Sequence, residues 1–200
     1  MARRELDPLG PPPALLDGRT LSLVRSSAAL VRIFTDGKDP KFFGKTGDNR
    51  FDAKSGEFGV MYAAADPYGA FIEVFGEVAN WTVTLASLDT RGLADVQLSR
   101  ELTFLDLTGE GLAQIGADSR LFAGEQSVAQ LWSVALWKHP STIDGLCYRA
   151  RHDPSRLSFA IYDRAADAVT AVSRGRLTAA RHRTLLGDIL DKYQFRLIDA

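Results

Sequence analysis

Two hundred residues carry 24 Lys and Arg against 25 Asp and Glu, a net charge of −1, and 46% of them are hydrophobic, the ordinary balance of a globular domain. Near-neutral charge argues against a protein that coats nucleic acid, because phosphate neutralisation by several Lys or Arg supplies most non-specific affinity. The single cysteine, Cys147, excludes an internal disulfide, and three scattered histidines, His139, His152 and His182, cannot assemble the usual zinc spacings, so no metal site is expected.

Residues 1–20 are rich in Pro and Gly and have no period, which predicts an extended N-terminal arm leading into one domain over 21–200. Arg3 and Arg4 open this arm, but Asp7, Pro8 and Pro11 to Pro13 stand where a secretory signal needs an apolar core, and no later run approaches the roughly 20 apolar residues of a bilayer span. A cytoplasmic protein with no membrane contact is expected. Val31 to Phe34 reads as a strand. Thr35 to Gly59, with five Gly, four Lys and four Asp, reads as a long loop, and loops of that length inside a domain are commonly functional.

Gly59 to Ala63 is a second short strand. Asp66 then stands at an N-cap position with Pro67 at the first helical one, and Ala70, Phe71, Val74, Phe75 and Val78 keep helical spacing, predicting a helix over 68–78. Strands are expected over 81–85 and 102–107, and a helix over 127–137 in which Leu131, Trp132, Leu136 and Trp137 form a core face. The last third predicts strands over 144–149, 157–162 and 169–172, a helix over 178–190 and a final strand over 195–198. Runs of strands with few interleaved helices point to a single α+β domain. From Arg149 onward there are ten basic and six acidic residues, a surplus that reads first as a solvated face.

No Gly-x-Gly-x-x-Gly, Walker loop or Gly-x-Ser-x-Gly elbow is present. Gly44-Lys45-Thr46 matches only the end of a P-loop and lacks its upstream Gly. What stands out are polar residues set among apolar or aromatic neighbours: Arg32, Arg50, Tyr62 and Glu73. Singly, each reads as an edge-strand or helix-surface group. Taken together with their context, they suggest a site, because charges in such surroundings need partners.

The order Val31-Arg32-Ile33-Phe34, Gly47-Asp48-Asn49-Arg50-Phe51-Asp52, Gly56-Glu57-Phe58-Gly59-Val60-Met61-Tyr62, Ala70-Phe71-Ile72-Glu73-Val74-Phe75 and Asp144-Gly145-Leu146-Cys147-Tyr148-Arg149-Ala150-Arg151-His152-Asp153 resembles the RES domain family. Its members are NAD-degrading toxins with a fold like ADP-ribosyltransferases. The resemblance implies a mixed or antiparallel sheet with flanking helices, and NAD as substrate with no permanently bound cofactor. It also implies a small antitoxin partner, which the Arg-rich last third, Arg181 and Arg183 included, could meet through acidic residues.

The same resemblance implies that Arg32 and Arg50 hold the dinucleotide, with Arg151 beside them, while Tyr62 and Glu73 flank the nicotinamide ribose. Physical chemistry suits those roles. Arg matches phosphate oxygens bidentately, Tyr stacks a ring, and a carboxylate stabilises an oxocarbenium-like state. Where the family usually has Tyr-Arg-Ser-Arg, this chain has Tyr148-Arg149-Ala150-Arg151, so the serine position carries no hydroxyl. Ser127 and Ser133 are the nearby hydroxyls that could replace it. The reaction expected is cleavage of the nicotinamide–ribose bond with phosphate or water as acceptor. The alternatives are ADP-ribosylation of a macromolecule, or an NAD-binding module impaired by Ala150.

Overall fold

Most strands of the eight-stranded sheet are built from β-branched, aromatic or small residues that suit a pleated surface. The computed structural model describes residues 8–199, so the first seven residues of the expected arm lie outside it. In chain order the elements are β1 (Leu23–Ser26), β2 (Leu30–Thr35), β3 (Val60–Ala64), α1 (Pro67–Phe75), β4 (Thr82–Thr84), α2 (Leu85–Asp89), β5 (Arg91–Leu98) and β6 (Leu102–Asp106). There follow α3 (Gly111–Ile115), α4 (Arg120–Ala123), α5 (Gln126–Lys138), β7 (Gly145–Arg149), β8 (Leu157–Tyr162), β9 (Val169–Arg176), α6 (Arg183–Tyr193) and β10 (Arg196–Ile198).

The large sheet runs β1-β6-β7-β8-β3-β2-β5-β9, and β4 with β10 forms a separate two-stranded parallel pair. Every neighbour in the large sheet is antiparallel except β6 and β7. The α+β expectation therefore holds, with helices packed against one face of the sheet. That face carries two cores. One joins Val60, Leu146, Ala160 and Tyr162 to Trp132 and Leu136 of α5; the other joins Ile33, Ala64 and Leu93 to Phe71, Ile72 and Phe75 of α1 and Ile189 of α6. On the opposite face Leu30, Val96 and Val169 share a third cluster with Leu102 and Phe104 of β6 and Phe159 of β8.

Between β2 and β3 only one residue pair, Val31 with Ala64, is in register. Beyond it the strands diverge, and the gap opens at the seam between the two helix-covered cores. Sheet continuity is thus given up where a cleft is needed.

Several sequence expectations need correction. The helix expected over 68–78 stops at Phe75, and Gly76 at its C-cap packs so closely against Ile72 O and the His152 ring that a Cβ there would lie 2.4 and 2.6 Å from them. The helix expected from 178 begins at Arg183, after a short 3-10 turn. Residues 81–85 give only three strand residues, and Leu85 already starts α2 behind the Thr84 cap. Leu131 is half-exposed and does not belong to the core face of α5, unlike Trp132 and Leu136. Residues before β1 do contact the domain: Leu16 is buried and Gly10 O accepts the Trp132 indole N–H at 2.9 Å.

Candidate active site

Asp66 accepts a hydrogen bond from the Gly69 N–H at 2.9 Å, as an N-cap does, and Pro67 fits the first turn, so α1 starts where the sequence says. The cap is fastened from outside as well, since Arg156 Nη1 donates to Asp66 Oδ2 at 2.7 Å. A helix held at its start carries Glu73 two turns along to a defined place. That place is the mouth of the β2–β3 gap, a cleft of about 40 Å³ lined by Arg32, Ile33, Tyr62, Ala64, Glu73 and Tyr148, among others.

Glu73 is solvent-accessible at the cleft mouth while protein atoms crowd its carboxylate. The Tyr148 hydroxyl donates to Oε2 at 3.0 Å and the Arg151 backbone N–H donates to Oε1 at 3.2 Å. Burial raises its pKa above the ordinary carboxylate value, and the donors from Tyr148 and Arg151 and the charge of Arg50 only partly counter this. Glu77, its neighbour one turn on, is paired with the Arg151 guanidinium, so the like-charge pair on the helix is neutralised from outside.

Tyr62 lines the cleft from β3. Its hydroxyl donates to Asp52 Oδ1 at 2.9 Å and accepts the Phe51 N–H at 2.9 Å, which uses the hydroxyl and leaves the ring for the cleft. Burial first, then the Asp52 charge, raises its pKa well above the ordinary phenol value, so it stays protonated. Arg50 sits on the same loop as Asp52. Its Nη1 donates to Gly124 O at 2.9 Å, and burial and the nearby Arg151 charge lower its pKa. Arg32 also lines the cleft, but its Nη1 donates to Phe42 O at 2.9 Å, and burial pushes its pKa down to about 10.

Ala150 is buried and clusters with Ile33, Ala64 and Ala70, in the core beneath α1. Neither candidate hydroxyl lines the cleft. Ser133 is buried in the other core, donating to Phe51 O at 2.7 Å, and Ser127 is exposed on α5. Two residues that the sequence reasoning did not place in the site belong here. Tyr148 was signalled by strand alternation, which sets it two residues from Ala150 on the same face; Asp52 had no local signal, because its partner Tyr62 comes from another element.

A larger cavity of about 400 Å³ lies between α5 and the loop from Lys54 to Glu57, walled by Leu131, Val134 and Ala135. The convergent charged and aromatic groups are in the smaller cleft, which makes it the candidate site. Among the described residues no group of His, Cys, Asp or Glu is arranged to hold a metal ion, and no helix is long and apolar enough to cross a membrane.

The RES domain family model matches residues 29–184, a span that contains every residue of this cleft. The chain belongs to the RES domain family. Among its relatives, the chain is 26% identical over 125 residues to "Probable toxin y4kH" of Sinorhizobium fredii (strain NBRC 101917 / NGR234), covering 62% of this chain and 95% of that protein. It is 34% identical over 112 residues to "Mu-like prophage FluMu protein gp41" of Haemophilus influenzae, covering 56% and 87%. A chain from the crystal structure of the M. tuberculosis MbcT-MbcA toxin-antitoxin complex superposes with a TM-score of 0.63 at 16% identity, over 86% of this chain and 94% of that one. That last likeness is one of fold, and it agrees with the mixed, mostly antiparallel sheet described above.

Proposed function

We propose that this RES domain protein is a toxin of a toxin–antitoxin pair that breaks the nicotinamide–ribose bond of NAD. One observation carries the reading: a carboxylate, Glu73, is fixed by two donors at the mouth of a cleft whose other wall is an aromatic ring, Tyr62. Family membership and a relative named as a probable toxin support it.

In this reading Arg50 and Arg32 exchange their carbonyl partners, Gly124 O and Phe42 O, for pyrophosphate oxygens, a stronger charge-assisted acceptor. The ribose C1′–N bond breaks with its electron pair leaving on neutral nicotinamide. Glu73 stabilises the oxocarbenium-like ribose that develops, and water or a phosphate oxygen closes on C1′, water shedding its proton. A cleft of about 40 Å³ must widen before a ligand of this size enters, since sites for such ligands commonly span roughly 300–1,000 Å³.

The antitoxin would be an acidic protein segment meeting the exposed Arg181 and Arg183 at the start of α6. Ala150 favours a second reading, an NAD-binding module that turns over poorly, because the family's serine hydroxyl is missing.

Proton NMR of nicotinamide release from NAD, with and without inorganic phosphate and beside Glu73→Gln, tests the first reading. Release that disappears in the variant supports it, and phosphate dependence identifies the acceptor. Bound NAD without release supports the second. Absence of both binding and release refutes both readings.

A further inference from the structure

Asp52 is fully buried, and every group that satisfies it is neutral. Its Oδ2 accepts the Asn49 backbone and side-chain N–H groups at 3.1 and 3.0 Å, and its Oδ1 accepts the Tyr62 hydroxyl. Among the described residues no Lys, Arg or His forms an ion pair with it. A buried carboxylate is ordinarily paired with a cation, so its charge here is delivered to its donors, one of which is the phenol facing the cleft.

That phenol's one donor is spent on Asp52, and its oxygen already accepts from Phe51 N–H. What Tyr62 offers the cleft is its ring. A phenol whose O–H donates to a carboxylate is polarised: the charge-assisted bond withdraws the proton and leaves the ring face richer in electron density. An electron-rich aromatic face attracts cations. Across the cleft stands the Glu73 carboxylate. Arg32, Arg50 and Arg151 act against a cation here, but Arg151 is answered by Glu77, and Arg32 and Arg50 are turned to the Phe42 and Gly124 carbonyls.

We propose that Asp52 is a positioning residue which, through Tyr62, makes the cleft select a cationic pyridinium ring over the same ring when neutral. The idea deepens the NAD reading, on which the identity of the natural ligand rests, since the nicotinamide of NAD is a pyridinium cation until its bond to ribose breaks. It also gives the released neutral nicotinamide a weaker hold than the substrate ring.

The test titrates the native protein, Asp52→Asn and Tyr62→Phe with nicotinamide methylated on its ring nitrogen, a pyridinium cation, and with neutral nicotinamide, following the protein by NMR. The native protein is expected to hold the cation about fivefold tighter or more, the scale of one cation–π contact. Asp52→Asn keeps an acceptor for Tyr62 and removes the charge; Tyr62→Phe keeps the ring and removes the connection. Either is expected to bring the ratio close to one by weakening the cation more than the neutral ring, a change that mere loosening of the fold, which weakens both alike, does not produce. Tyr62→Phe serves alone if Asp52→Asn does not fold. No preference in the native protein, binding of neither ring, or a preference untouched by the variants overturns the proposal. Nicotinamide release from NAD, measured in parallel, separates the two ideas: selectivity without binding or release of NAD leaves the Asp52 role standing and removes the NAD reading, and release without selectivity does the reverse.

Discussion

Tyr148 and Glu73, 75 positions apart, meet across the cleft mouth, with the buried phenol donating to Glu73 Oε2 at 3.0 Å. β7 supplies the phenol and α1 the carboxylate, so this bond joins the two helix-covered cores that the β2–β3 gap separates.

Tyr148→Phe keeps the ring stacked against Phe122 and removes only that donor. A hydrogen bond to a charged group contributes about 1.5–3 kcal/mol, and a loss of that size in the transition state slows turnover roughly ten- to a hundredfold. Nicotinamide release is expected to fall by that factor, with a smaller drop in urea midpoint because the Arg151 N–H still holds Oε1. Unchanged release would show that Glu73 needs no fixing by Tyr148.

Glu73 also makes stability depend on pH. Its folded-state pKa lies above its ordinary value, burial being the main cause, so the folded protein keeps this proton longer than the unfolded chain does. Stability is therefore lost as pH rises from the unfolded value, about 4.3, through the raised folded one, and the penalty stays in place above both. Glu73→Gln escapes it. Urea unfolding is expected to show the variant gaining on the native protein between about pH 4 and neutrality. A difference that stays constant over that range contradicts the burial argument.

Much of this frame was legible locally. Asp66-Pro67 announced the start of α1, and the β-branched and aromatic runs announced β2, β3, β7 and β8, because each signal sits within a few residues of what it specifies. β5 was not legible: Arg91-Gly-Leu-Ala-Asp-Val-Gln-Leu is poor in strand formers, and only its place between β2 and β9 makes it a strand. Gly92 illustrates the reason, since a Cβ there would lie 2.6 Å from the Phe34 ring on the neighbouring strand. The site divides the same way. Arg32, Tyr62 and Glu73 were visible as polar residues in apolar surroundings and do share the cleft, with Arg50 and Arg151 at its edge. Asp52 became meaningful only once folding brought it to Tyr62.

Asp153 shows the opposite pH behaviour. Burial alone would raise it, but donors from Ser155, Tyr193 and Arg156 outweigh burial and hold its pKa down to about 2. This stabilisation is present above the ordinary carboxylate value and is lost as pH falls through about 2. Tyr193→Phe removes the donor that ties α6 to the β7–β8 hairpin, a bond of 2.7 Å. It is expected to cost about 1.5–3 kcal/mol at neutral pH and progressively less on acidification, read from urea midpoints at several pH values. A loss independent of pH would assign the effect to packing of the Tyr193 ring.

Ser158 lies in the same row of the sheet as Tyr148 and Ala64, buried, and its hydroxyl has no hydrogen-bond partner among the described residues. Leaving a buried hydroxyl unpaired costs about 1–3 kcal/mol. Ser158→Ala is therefore expected to raise the urea midpoint. A lowered midpoint would mean that an internal water satisfies the group.

Ala150→Ser sets stability against activity at one position. Ala150 is 1% exposed and packs with Ile33, Ala64 and Ala70, so a hydroxyl enters an apolar setting. Unless it finds a partner, it costs about 1–3 kcal/mol of stability. The flanking residues argue that a partner is within reach, because Tyr148 and Arg151 on either side both donate to Glu73. If the new hydroxyl donates to substrate or to that carboxylate, release of nicotinamide rises about two- to tenfold, the worth of one neutral hydrogen bond. Faster release with a lowered urea midpoint is the expected pair of results. A lowered midpoint without faster release would show that the cleft works without the family's serine, and that the alanine belongs to the core beneath α1.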